Sequence, residues 1–282
     1  MKMRNISQFI SFSVLRLIIL LVVIPVVFVI FVLFQNGWSA MSWHFITSPP
    51  SGDLTKGGLL YPIVGTLYLV ACTIIIALPL GLLSAIFLSE YAKQGKLTRI
   101  VRLAIVNLAG VPSIVYGLFG YGVFCLMLKM YESILAGALT LAILILPVVI
   151  VAAEEALTAV PQGFREASLA LGATKWQTTY KVVLPNALPG IITGAILGIS
   201  RAAGETAPVL FTCVAAFMPS LPKSLFDKCM ALPYHLYIIS TQVPDAPLNV
   251  QWGTALTLLI IAVGLNIAAS FVRVHFRKNR AW

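Results

Sequence analysis

The chain has 282 residues, 60% of them hydrophobic and 10% charged, with a mean hydropathy of +0.98. Nineteen Lys and Arg against nine Asp and Glu give a formal charge of +10. Soluble chains are about a quarter charged, so a water-facing globule is excluded; the basic residues flank apolar runs instead of gathering on one wet face, which excludes a nucleic-acid binder.

A helix needs about 20 apolar residues to cross a bilayer core, and six stretches meet that length. Residues 1–56 hold the amino terminus, the first span (Val14–Phe34) and an outer loop. That span exceeds the roughly 7–15 apolar residues of a secretory signal and reads as a retained anchor. Arg16 lies near its end, where a long side chain can reach the interface. Residues 57–282 hold the other five: Ile63–Leu88, Leu103–Leu128, Ser133–Ala153, Leu188–Ala216 and Trp252–Val272. Membrane β-strands would be about 10 residues long with alternating polarity. The pattern therefore predicts an all-α polytopic membrane protein with six transmembrane helices in contact with lipid. Pro25, Pro79, Pro112, Pro147 and Pro208 lie in or beside spans, where each removes a backbone donor and invites a kink.

Charge around the spans gives an orientation. Fourteen Lys and Arg fall on one side: Lys2, Arg4 and Arg16 at the amino terminus, Lys93 to Arg102 in the second loop, Arg165, Lys175 and Lys181 in the fourth, and Arg273, Arg277, Lys278 and Arg280 in the tail. The other side has four, Lys56, Lys129, Lys223 and Lys228. The positive-inside rule predicts that both termini are cytoplasmic.

Residues 154–187, between the fourth and fifth spans, form a cytoplasmic segment longer than a helical bundle needs. It is rich in helix-favouring Ala, Leu, Glu and Gln and punctuated by Pro161-Gln162-Gly163 and Gly172, which predicts two short helices with a break at Gly172. The small residues Ala167, Ser168 and Ala170 would let the first helix seat in a groove of a partner. The fifth span carries Gly190, Gly194, Gly198, Arg201 and Glu205 within an arc of roughly 80°. Glycines four apart allow a second helix to approach closely, and charges inside a membrane face a bundle interior or a wet cavity. Two readings stand for Arg201 and Glu205: a mutually neutralising pair at i,i+4, or part of a pathway. Pro208 cannot donate to the carbonyl of Gly204, which loosens the backbone beside them.

Residues 35–60 and 217–251 are the outer segments, with Trp38, Trp43, His44, Tyr234 and His235 expected as headgroup anchors or as a docking surface. Cys72, Cys125 and Cys213 lie in apolar runs and Cys229 in a polar loop. No Cys or His spacing suits a metal, and no intrachain disulfide is expected.

The stretch Glu166-Ala167-Ser168, three residues, Gly172, nine residues and Val182-Val183-Leu184-Pro185 resembles the cytoplasmic loop signature of binding-protein-dependent ABC importer permeases, with Ser168 in place of the second alanine. Arg201-Ala202-Ala203-Gly204-Glu205-Thr206 resembles the Arg-x-x-Gly-Glu-Thr stretch of the phosphate-specific (Pst-type) permeases. So do Gly57-Gly58 with Pro62 to Leu67, Gly110 to Phe119, and Arg165 to Thr174; Thr206-Ala207-Pro208 favours the A-type over the C-type subunit.

The resemblance implies a type I (MetI-like) permease fold in a bacterial inner membrane. It implies a heterodimer with a C-type permease subunit, two copies of a cytoplasmic ATP-binding subunit that bind ATP and Mg, and an external phosphate-binding protein. Because no GxxxxGK[ST] occurs, this chain is not expected to hydrolyse ATP or bind a cofactor itself. The loop becomes the coupling helix, with Arg165, Glu166 and Lys175 as polar contacts to the ATPase. Arg201 becomes the cation of a phosphate pathway, Glu205 its holder, and Ser113, Tyr116 and Thr206 neutral donors. An ABC permease for another small oxyanion, or the C-type sister, are the near alternatives. An ion-coupled secondary transporter would need no such loop and often shows two repeated halves, which are not found. A membrane enzyme would need a nucleophile and base on one face, and His44, His235 and His275 all lie outside the spans.

Overall fold

The computed structural model of the protein describes the backbone of residues 2–278 except 52, 53, 55 and 245, and side chains between Phe12 and His275. Of the residues in the charge count, the side chains of Lys2, Arg4, Arg277, Lys278 and Arg280 lie outside that description. Among the described residues twelve α-helices follow one another and no β-strand forms. They are α1 (Lys2–Gly37), α2 (Trp43–Thr47), α3 (Leu60–Ile86), α4 (Lys96–Ala109), α5 (Ser113–Gly120), α6 (Ile134–Thr158), α7 (Gln162–Ala170), α8 (Lys175–Thr178), α9 (Leu184–Gly204), α10 (Ala207–Thr212), α11 (Leu232–Thr241) and α12 (Leu248–Lys278). Three π-helical turns extend them: Phe87–Tyr91 after α3, Tyr121–Met127 after α5, and Thr179–Val183 between α8 and α9.

The centre of the bundle is α6, which packs against α3, α4, α5, α9 and α10. Its sequence explains the position: 20 residues from Ile134 to Ala153 carry no charge, and two thirds of its most apolar window is buried. Such a helix, apolar all round, belongs in a core. The Ser133 side chain caps its start by accepting from Ala136 N. Three more backbone donors there go to the returning chain, Ser133 N to Thr212 O, Ile134 N to Asp227 O and Leu135 N to Leu225 O. The same segment closes over α3. A Cβ at Gly65 would lie 1.9 Å from Met230 O, so only glycine admits that contact, and Thr66 Oγ1 accepts from Leu232 N at 2.8 Å.

In contrast, no residue in the apolar window of α1 is buried within this chain, and α1 packs mainly on α12.

The third apolar stretch, read as one span with a kink invited at Pro112, is a sharply bent pair of helices. Lys96–Ala109 and Ser113–Met127 meet at an angle of 102°, so among the described residues five helices are long and apolar enough to cross a membrane, or six with this bent pair counted as one span. The break falls at Gly110-Val111-Pro112: Pro112 has no N–H for a continuing helix, and its extended backbone starts α5 afresh. The fifth span also ends early, at Gly204; Glu205 is extended (φ −74°, ψ 129°) and the helix restarts at Ala207. Two side chains are more buried than the sequence suggests. Cys229 is fully enclosed with Cys213, Leu69 and Ile134, and all four cysteines are free thiols. His235 is 3% exposed, while Trp38 and Trp43 stand exposed as anchors would.

Candidate functional site

Two groups of the singled-out residues come together, one along α9 and one at the end of the bundle that carries α7 and α8. The first begins with a glycine seam. A Cβ at Gly190 would lie 2.5 Å from the Cβ of Ala156, one at Gly194 2.6 Å from that of Ala152, and one at Gly198 3.3 Å from Ile145 and Val149 side-chain atoms. The backbones of α9 and α6 therefore approach as closely as small residues permit.

One turn beyond the seam, Arg201 Nε donates to Glu205 Oε1 at 3.3 Å, with side chains 31% and 16% exposed. Opposite them α5 packs against α10, which Gly117 permits: a Cβ there would lie 3.0 Å from Ala207 O. This docking buries Tyr116 beside Ala202 and within electrostatic reach of Arg201. The Tyr116 hydroxyl donates to Leu108 O at 2.7 Å, where the same carbonyl also accepts from Val111 N at 3.1 Å, at the end of α4 before the 102° break. Tyr116 is thus engaged as a donor within the fold. Ser113 and Thr206 sit at the starts of α5 and α10 and make no hydrogen bond to Arg201.

The second group is the helical hairpin. Helix α7 ends at Gly172, whose φ of +81° is the left-handed conformation glycine adopts readily. Thr174 then caps α8 in a reciprocal box, its side chain accepting from Gln177 N while the Gln177 side chain accepts from Thr174 N. Ser168 and Thr178 hydroxyls join the two helices at 2.9 Å. Leu171, Trp176 and Tyr180 stand exposed at 89%, 60% and 60%, with the Trp176 and Tyr180 rings stacked 6.1 Å apart. Glu166 and Ala167 are exposed as well. That is an apolar and aromatic surface at the turn after α7 and along the start of the long helix Lys175–Gly204, of the kind that marks a protein contact.

The polar residues of the hairpin divide. Lys175 lies 5.1 Å over the Tyr91 ring. Arg165 is turned inward: Nη2 donates to Glu90 Oε1 at 2.7 Å and to Leu157 O at 2.8 Å, and Nη1 to Val160 O at 2.6 Å. Its donors are engaged within the chain, unlike the outward contact expected for it. Beside it, Arg102 Nη2 lies 2.7 Å from Glu154 Oε1 and donates to Leu88 O at 3.0 Å. Sequence reasoning missed Glu90, Arg102 and Glu154 as a network. The available signal was carboxylates at the ends of apolar runs facing the basic loops.

The model of the family described as "Binding-protein-dependent transport system inner membrane component" matches residues 77–281. The chain belongs to that family of inner-membrane permeases. Like its relatives it is a transport component that works with an ATP-binding subunit and a substrate-binding protein. It is 40% identical over 225 residues to phosphate transport system permease protein PstA 1 of Mycobacterium tuberculosis (strain CDC 1551 / Oshkosh), covering 79% of this chain and 73% of that one. It is 35% identical over 257 residues to the probable ABC transporter permease YqgI of Bacillus subtilis (strain 168), covering 86% and 87%. Among solved structures, an inward-facing MetNI methionine ABC transporter chain matches with a TM-score of 0.59 at 20% identity, covering 77% of this permease and 97% of that chain. A bacterial alginate ABC transporter chain matches with a TM-score of 0.68 at 14% identity, covering 93% of each. These likenesses establish the type I permease fold for the whole bundle.

Proposed function

We propose that this permease is the A-type membrane subunit of an ATP-driven importer of inorganic phosphate. The observation that carries the reading is the coincidence, in one chain, of a self-contained hairpin with an exposed aromatic face and a guanidinium inside a span held by a single 3.3 Å contact. Relatives named as phosphate permeases carry the substrate assignment.

A dehydrated phosphate needs a delocalised cation or several N–H donors, and Arg201 supplies the cation. Glu205 would repel the anion, so its role is to hold Arg201 until phosphate replaces it. Thr206 and Ser113, at the starts of two short helices that pack together, are the neutral donors for that exchange. Tyr116 positions the break between α4 and α5.

At the other end, α7 and α8 form the seat of the ATP-binding subunit. Glu166 and Lys175 are its polar contacts, and Ala167 and Ser168 give the close-packed face. ATP and Mg belong to that partner, of which two copies serve a heterodimer of this chain with a C-type sister. Residues 57–282 form the permease core, and both termini face the cytoplasm. An external phosphate-binding protein docks on the segments at 35–60 and 217–251.

The test is reconstitution of the complex in lipid vesicles. Uptake of labelled phosphate that needs ATP and the external protein, and stops when the ATPase Walker lysine is replaced, is the expected result. Uptake that survives that replacement overturns the ATP-driven reading. Uptake of another oxyanion in preference to phosphate overturns the substrate.

A further inference from the structure

The chain joins the hairpin to the bundle through α6 on one side and α9 on the other, yet Arg165 of the hairpin pairs with a carboxylate 75 residues away. Arg165 at the centre of α7 meets Glu90, and the two side chains are only 12% and 9% exposed. Two further Arg165 bonds reach backbone carbonyls at the end of α6, that of Val160 just past the helix and that of Leu157, which also accepts from Val160 N at 3.3 Å. A planar fork with this many fixed acceptors cannot slide, and breaking one partner of a buried pair is strongly unfavourable.

Glu90 belongs to the π-helical turn Phe87–Tyr91, which closes the long helix of α3 just before the extended Ala92. The same five residues meet three other elements. Leu88 O accepts from Arg102 of α4, the Tyr91 ring receives Lys175 of α8, and Glu90 receives Arg165 of α7. The far end of α4 is the Leu108 carbonyl held by Tyr116, which lies within electrostatic reach of Arg201. Named contacts therefore run from the hairpin through the end of α3 to α4 and Tyr116, which shares a core cluster with Ala202 of α9.

We propose that Glu90 is a positioning residue for transport: through its ion pair with Arg165 it carries movement of the hairpin into the end of α3, and the π turn hands that movement to α4 through Arg102. This rests on the reading of α7 and α8 as the ATPase seat. It assigns Arg165 to the transmission of movement and leaves Glu166 and Lys175 to face the ATPase.

The experiment uses the intact transporter complex in lipid vesicles, measuring ATP hydrolysis and phosphate uptake on the same preparation. Glu90→Gln keeps the shape and removes the charge. The expected result is ATP hydrolysis within twofold of wild type with phosphate moved per ATP reduced about tenfold, within the range of coupling between sites. Glu90→Asp recovers part of that loss. A second measurement separates a tether from mere support: with the four native cysteines replaced by alanine, Glu90→Cys and Arg165→Cys are joined by a short bifunctional thiol reagent. Joined protein should transport more phosphate per ATP than the same protein left unjoined.

Unchanged uptake per ATP in Glu90→Gln, or a joined pair no better than an unjoined one, overturns the proposal. If Glu90→Gln fails to assemble, the joined pair decides alone. ATP-independent uptake by the wild type sinks the ATPase reading itself, whereas a coupled wild type with an equally coupled Glu90→Gln sinks only the role of Glu90.

Discussion

Two of the arginine–carboxylate pairs of this permease, Arg165–Glu90 and Arg201–Glu205, are built in opposite ways. Arg165 and Glu90 meet at 2.7 Å, both nearly enclosed, across 75 residues of chain and with two carbonyls sharing the guanidinium. Arg201 and Glu205 meet at 3.3 Å, four residues apart, through one nitrogen, with the arginine 31% exposed and the glutamate on extended backbone just past a helix end. A buried pair is hard to break because either partner alone is stranded in a poor solvent. The second pair leaves most guanidinium donors free and keeps its acceptor on a segment without helical restraint. One arrangement holds elements together, and the other can exchange its partner.

The largest expected effect tests the exchange. Arg201→Gln should lower phosphate uptake about 100-fold, the equivalent of the roughly 3 kcal/mol a charge-assisted contact can supply, while the complex still assembles and the external protein still binds phosphate. Arg201→Lys should recover only part, since an ammonium keeps the charge but lacks the planar fork and is more strongly hydrated. A pair that serves only to neutralise itself gives a different pattern: Arg201→Gln alone lowers assembly, and adding Glu205→Gln restores assembly and uptake. Measuring yield and uptake for the single and double variants separates the two. An active double variant would remove Arg201 from the pathway.

The holding end is next. Gly172→Leu puts a side chain on a φ of +81°, with nothing within 4 Å of where its Cβ would be. Its cost is therefore backbone strain, about 1–2 kcal/mol, confined to the turn between α7 and α8. Glu166→Arg changes only an exposed charge. Both should leave insertion intact and weaken ATPase attachment, reducing uptake about tenfold. Wild-type uptake with a normally associated ATPase in both variants would remove the hairpin as the docking element.

Much of this contrast was legible in the sequence, and the parts that were not share a cause. The hairpin could be read because its signals are local: a break at Gly172, a helix restart at Thr174 and a fixed spacing to Leu184-Pro185. The seam of Gly190, Gly194 and Gly198 could be read because helical period alone places them on one face. Glu90 could not, since its partner lies 75 residues on and no periodicity connects them. The bend between α4 and α5 was hidden for a related reason: hydropathy averaged over Leu103–Leu128 stays high through Gly110-Val111-Pro112, although Pro112 marked the place. His235 was grouped with the interfacial aromatics because burial in α11 depends on contacts that the local pattern does not contain.

A smaller effect sharpens the seam that positions Arg201. At Gly194 a new Cβ meets the Cβ of Ala152 at 2.6 Å, an atom fixed to its backbone; at Gly198 it meets the Ile145 side-chain end and a Val149 methyl at 3.3 Å. Overpacking a tight contact costs about 1–3 kcal/mol. Gly194→Leu should therefore separate α9 from α6, lower the thermal midpoint in detergent and reduce complex yield. Gly198→Ala should be tolerated with a shift too small to affect yield. Equal behaviour of the two would mean that the helices adjust as a whole and that no single glycine sets the approach.

The smallest expected effect concerns what a buried ionisable group does with no partner at all. His235 is 3% exposed, its Nδ1 has no hydrogen-bond partner, and burial lowers its pKa to about 4. The unfolded chain titrates near the ordinary 6.5, so between about 6.5 and 4 it binds a proton that the folded state refuses. Stability must then fall as pH drops through that window and be fully present above it. The loss from this group should reach about 2 kcal/mol at pH 5, at about 1.4 kcal/mol for each pH unit below 6.5. His235→Phe removes both the orphaned nitrogen and the titration. Thermal midpoints of the two proteins, measured from pH 7.5 down to 5, should diverge with the wild type falling faster. Parallel curves would show that His235 takes up its proton as readily folded as unfolded, because water or an acceptor group reaches it in the fold. In either case, enclosure alone would not be what separates the unpartnered histidine from the Arg165–Glu90 pair.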